Sequence, residues 1–158
     1  MSILRNRNSS GNLFLSNMKA FSFGITISMA VATTAFGRIG DDEKQIEAIY
    51  GKPAKVLEEK ENVRKVGYAV GAVAVIVDFV NGISRREAFA KADTSAIKDD
   101  EIQQMLNVSA AENTTWKEEP GKQGDRTWKR SDNKAVAIFP ARQTFLYVQD
   151  PGYAQPEE

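Results

Sequence analysis

The chain has 158 residues, with 21 basic and 21 acidic side chains, no His and no Cys. Those two absences exclude imidazole metal sites, Ser-His-Asp triads, thiolate zinc sites, nucleophilic thiols and disulfides. They also exclude a lipidated cysteine as an anchor. The charge balance is uneven, because Arg5, Arg7 and Lys19 are the only charges before Arg38. Residues 38–158 therefore hold 18 basic against 21 acidic side chains, a net charge of −3. A nucleic-acid binder needs a basic footprint, so no nucleic-acid partner is expected.

From Ala20 to Gly37 no residue is charged, and Phe21, Phe23, Ile25, Ile27, Met29 and Val31 make the run apolar. Lys19 precedes it, and Ala35-Phe36-Gly37 supplies small residues at an exit site. A basic start, an apolar stretch and a small-residue exit are the marks of a signal peptide. Residues 1–37 are read as that signal, with a long N-region and a second possible start at Met18. The run reaches the lower bound for a membrane span, but Ser22, Thr26, Ser28, Thr33 and Thr34 dilute it. Export to the periplasm or the medium follows, with no membrane span after cleavage. An exported chain without Cys suits a bacterial envelope.

Asp41-Asp42-Glu43 opens a first helix, where carboxylates can cap free N–H groups. Ile46, Ile49 and Tyr50 make its apolar face, Gly51 stops it, and Pro53 prevents its return. Val56-Leu57 starts an extended segment, and the charged stretch 58–62 reads as a turn. Val66, Tyr68 and Val70 alternate as a strand. Residues 72–80 are apolar on both faces, which marks a central strand. Asp78 breaks that run and, one step from a turn, is expected at the wet rim. Asn81-Gly82 is a strong hairpin signal because both positions tolerate positive φ. Residues 83–91 return as a polar, edge-like strand, with Arg85 and Glu87 on the face of Ile83 and Phe89. A second helix follows Asp99-Asp100-Glu101, with Ile102, Met105 and Leu106 on one face. Strands are expected at 114–119, 126–131, 134–139 and 144–149. The predicted core comprises Ile46, Ile49, Val75, Val77, Phe79, Ile102, Leu106, Val136 and Ile138.

The two halves, about 38–92 and 93–150, echo each other, with Ile46, Ile49 and Tyr50 matching Ile102, Met105 and Leu106. The expected fold is α+β: two αβββ-type units, with two short helices packed on one face of an antiparallel sheet. Residues 38–150 form that domain, and 151–158 a flexible tail.

Paired carboxylates are the main catalytic material, at Asp41/Asp42, Glu58/Glu59, Asp99/Asp100 and Glu118/Glu119. Each pair starts a helix or flanks a turn, which accounts for it without chemistry. No cofactor and no metal site is expected, and no catalytic residue is assigned. Trp116, Trp128, Arg130 and Tyr147 are the candidate partner contacts, because each joins a large side chain to a polar tip. Either Trp can instead fill the core.

Arg38-Ile39-Gly40 before a short helix ending Tyr50-Gly51-Lys52-Pro53 resembles small uncharacterised exported bacterial proteins. So does Trp128-Lys129-Arg130-Ser131-Asp132 followed by Ala135-Val136-Ala137. The helix-then-strands repeat also resembles beta-lactamase inhibitor protein and the small outer-membrane assembly lipoproteins. That resemblance implies binding to other proteins through a sheet or loop surface. The expected function is an exported, non-enzymatic binding module for another envelope or secreted protein. The alternatives are a carboxylate-dependent hydrolase of glycans or peptidoglycan, and a carrier of a small ligand.

Overall fold

The computed structural model describes residues 39–153. The expected signal segment 1–37 and the last five residues of the expected tail lie outside the described residues. Helix α1 (Glu43–Tyr50) leads into β1 (Lys55–Lys60), β2 (Val63–Val70), β3 (Val73–Val80) and β4 (Ile83–Lys91). Helix α2 (Asp99–Val108) leads into β5 (Trp116–Pro120), β6 (Arg126–Arg130), β7 (Val136–Phe139) and β8 (Leu146–Gln149). All eight strands form one antiparallel sheet in the order β1-β2-β3-β4-β8-β7-β6-β5.

This overturns the expected architecture of two αβββ units with helices packed on a sheet face. Four strands follow each helix, and β4 pairs with β8 to join the two runs into a single sheet. The helices are short and bring five buried side chains, Ile46, Tyr50, Ile102, Met105 and Leu106. The first strand is longer than its apolar start suggests. Residues 58–60 belong to β1, so the turn before β2 is confined to Glu61-Asn62. Charge does not prevent a strand at a sheet edge, where Glu58 meets Lys60 at 2.6 Å and Lys65 at 3.3 Å. Those ammonium groups, Lys60 first, hold the Glu58 carboxyl below its ordinary range.

Local signals work as the physics requires. Asp42 caps α1, accepting from the Gln45 N–H at 2.9 Å while the Gln45 side chain accepts from the Asp42 N–H. Asn81 and Gly82 take positive φ of 53° and 77°, so Val80 and Ile83 face each other across a two-residue turn. Both edges resist further pairing. β1 carries a register break between Val56 and Glu58, and β5 carries charge and ends in Pro120.

The core lies on one side of the sheet. Val66, Tyr68, Val75, Val77, Phe79, Phe89, Trp128, Ala137, Leu146 and Val148 are buried there with the helix side chains. Val136 and Ile138, expected in the core, are only partly buried, and Ala135 and Ala137 take the inner positions instead. The reason is volume. Ala137 pairs with Trp128, so a small side chain stands beside the buried indole. Ile49 is partly buried and packs against the core rather than within it.

Two further expectations change. β4 is not an edge: it lies between β3 and β8. Its register slips between Asp78 and Phe79, because Arg86 pairs with Asp78 but Ser84 pairs with Phe79. Arg85 is the extra residue, so it leaves the face that Glu87 and Phe89 share. Asp78 is not at the wet rim either. It is 1% exposed, because Arg86 faces it in register and Tyr153 reaches over it. Among the described residues no helix is long and apolar enough to cross a membrane.

Candidate functional site

Strand alternation sorts the sequence-predicted contact residues onto two faces. Trp116, Trp128 and Arg130 share the core face, since Trp116 pairs with Arg130 and Trp128 lies two residues away. Trp128 is 2% exposed, with the Arg126 guanidinium 4.9 Å above its ring. Arg126 is held there by Glu118 at 2.9 Å and by Asp99 of α2 at 2.7 Å. Arg130 is 2% exposed. It donates from Nε to Asp132 at 2.9 Å and from Nη1 to the Ser109 carbonyl at 3.3 Å. The Arg130 bond holds the Asp132 carboxyl below its ordinary range. Trp116 is partly exposed, and its indole N–H donates to the Leu106 carbonyl at 2.8 Å. Trp116 and Arg130 therefore tie β5 and β6 to the C-terminal end of α2.

Tyr147 is on the opposite face, which the sequence reading did not resolve. One row of residues crosses all eight strands there. Lys117 pairs with Lys129, Lys129 with Val136, and Val136 with Gln149. Gln149 pairs with Arg86, Arg86 with Asp78, Asp78 with Lys65, and Lys65 with Glu58. The adjacent row runs through Ile76, Ala88, Tyr147, Ile138 and Thr127. Phe145 stacks on Tyr147 with centroids 6.2 Å apart, and is 37% exposed. This face is thus neither a packed core nor a plain solvated surface.

Its centre is a fixed polar cluster. Arg86 meets Asp78 at 2.7 Å, and the Arg86 guanidinium lies 5.4 Å from the Tyr147 ring and 5.7 Å from the Tyr153 ring. The Tyr153 hydroxyl donates to the Asp78 carboxylate at 3.0 Å. Gln149 donates to the Tyr153 carbonyl at 3.4 Å, and Arg85 pairs with Asp150 at 2.6 Å. The segment 150–153 is therefore docked on the sheet. Burial first, and then the Asp78 charge, pushes the Tyr153 phenol up to about 12. Asp78 Oδ1 and Arg86 Nε and Nη1 are buried without a hydrogen-bond partner.

A separate open groove of about 640 Å³ lies at the start of α1. Asp42, Glu43, Lys44, Glu47, Arg64 and Gly82 line it, and Glu43 is paired with Arg64. Among the described residues no three Asp or Glu side chains converge as a metal-binding group.

Sequence reasoning missed Arg86, Asp78 and Tyr153 as a group. The only available signal was Asp78 before the Asn81-Gly82 turn and the Arg85-Arg86 doublet after it, and the one-residue slip in β4 puts Arg86 rather than Arg85 opposite Asp78. In comparison with known proteins, no family model, no curated protein and no solved structure matches this chain.

Proposed function

We propose that the chain is an exported, non-enzymatic binding module, which contacts another envelope or secreted protein through the sheet face that carries Phe145 and Tyr147. The observation that carries this reading is the stacked pair Phe145 and Tyr147 beside Arg86, whose guanidinium lies near the Tyr147 and Tyr153 rings. Aromatic and Arg side chains dominate protein interfaces, since they combine large apolar area with directed polar contact. Here the Arg is already fixed by Asp78 and the rings, so little side-chain freedom is lost on binding. The uncharged run at 20–37 supports export.

The test is affinity capture from bacterial envelope extract with the protein and its Tyr147→Ala and Phe145→Ala variants, followed by identification of what is retained. A defined partner held by the parent and weakened about 10-fold or more by either variant is the expected result. A partner retained equally by all three overturns the reading. Export is checked separately by mass spectrometry of the recovered protein, whose N-terminus should fall between Thr33 and Arg38.

A further inference from the structure

Lys117 and Lys129 sit directly opposite each other on β5 and β6, on the face that carries Tyr147. Like charges in a cross-strand pair destabilise a sheet. The other cations of the same row are neutralised, Lys65 by Glu58 at 3.3 Å and Arg86 by Asp78 at 2.7 Å. On the reverse face of β6, Arg126 and Arg130 are neutralised too, by Glu118 and Asp132. Among the described residues neither Lys117 nor Lys129 forms an ion pair, although Glu119 stands two residues along the same face of β5. Two cations thus stand together without an internal carboxylate, on a chain whose residues 38–158 are acidic overall.

Next to this pair are Val136, Ile138 and Thr127, and then Tyr147 with Phe145. We infer that the β5–β6 end of the face takes an acidic protein segment, its carboxylates set between Lys117 and Lys129 and its apolar side chains against Ile138 and Tyr147. A carboxylate placed there removes the repulsion between the two ammonium groups and gains attraction to both. Charge complementarity of this kind sets specificity and association rate, and it weakens with salt. The inference rests on the proposed function, because it names the partner chemistry of the same face.

A random copolymer of Glu and Tyr is a suitable probe, with a copolymer of Lys and Tyr and vesicles containing anionic phospholipid as the other arms. The protein should bind the Glu-Tyr copolymer, weaken steadily as salt is added, and ignore the Lys-Tyr copolymer. The double variant Lys117→Gln/Lys129→Gln should lose about five-fold or more in affinity with no fall in its thermal midpoint. Copolymer affinity unchanged in the double variant overturns the inference. Binding to the vesicles but not to the copolymer also overturns it, in favour of a membrane surface. If Tyr147→Ala weakens capture of the envelope partner and the double Lys variant does not, the face is the interface and only the acidic segment is wrong. If neither variant weakens capture, both readings fail together.

Discussion

Asp78 and Arg86 meet at 2.7 Å across β3 and β4, with side chains 2% and 11% exposed. The slip in β4 makes this geometry possible. Arg85 is the extra residue and turns toward Asp150, while Arg86 stays in register opposite Asp78. A bulge bends the strand and re-aims one side chain. Here it separates two consecutive arginines, one toward the rim and one onto the sheet.

Breaking this pair should be costly. Asp78→Ala leaves a buried guanidinium without its counter-charge, which costs about 3–5 kcal/mol. Replacing both partners, as Asp78→Leu with Arg86→Met, should cost clearly less than the two single changes together, since no buried charge remains. Urea denaturation of the four proteins measures this. A double variant as unstable as the sum of its singles shows that the two side chains act independently.

Alkaline titration reads Tyr153 of this cluster together with Tyr68 of the core. Burial holds the Tyr153 and Tyr68 phenols up to about 12, above their ordinary value of 10.0. A raised folded-state value means that the folded chain keeps protons the unfolded chain has lost. The stability from these phenols is complete below pH 10 and declines as pH rises from there toward 12. Ultraviolet absorbance should show two of the tyrosines ionising late. Tyr153→Phe should remove one of the late steps, and a spectrum unchanged by that variant refutes the docked position of Tyr153.

The turn between β3 and β4 tests the most local part of the fold. Gly82 has φ of 77°, and nothing lies within 4 Å of where a Cβ would stand. Backbone strain is therefore the main cost of a side chain there. Gly82→Val should destabilise by about 1–2 kcal/mol, because a β-branched residue resists positive φ. A denaturation midpoint equal to the parent's contradicts that geometry.

The Lys117 and Lys129 pair predicts a gain. Lys117→Glu converts a repulsive cross-strand pair into an attractive one, worth about 0.2–1 kcal/mol. Thermal unfolding should therefore shift upward, while binding to an acidic partner weakens. A variant that lowers the midpoint shows that Lys117 is held by something other than its position opposite Lys129.

What the sequence revealed depended on how local each cause was. The α1 cap at Asp42, the stop at Gly51 and the Asn81-Gly82 turn are set by a few neighbouring residues, and all three appear as read. The length of β1 was not legible, because residues 58–60 look like a turn until Lys65 is known to stand beside Glu58. The faces of β7 were not legible either. Ala135, Val136, Ala137 and Ile138 alternate small and large, and only the indole of Trp128 decides that the small ones point inward. The cluster on the open face needed contacts between residues 75 positions apart, Asp78 and Tyr153.

The two tryptophans separate structure from recognition. Trp128 is enclosed by the core and covered by Arg126, so Trp128→Ala should cost about 3–5 kcal/mol through the cavity it leaves. Trp116 is partly exposed and is fastened by one hydrogen bond to Leu106. Trp116→Ala should cost less, because part of its surface already meets solvent and the Leu106 carbonyl near the helix end can turn to water. Both lie on the face opposite Tyr147, so neither should contact a partner docked there. Among variants that stay folded, Tyr147→Ala should weaken binding with little loss of stability, and Trp116→Ala should lower stability with little loss of binding. The opposite pattern, with binding lost in Trp116→Ala at an unchanged melting temperature, puts the interface on the helix side of the sheet.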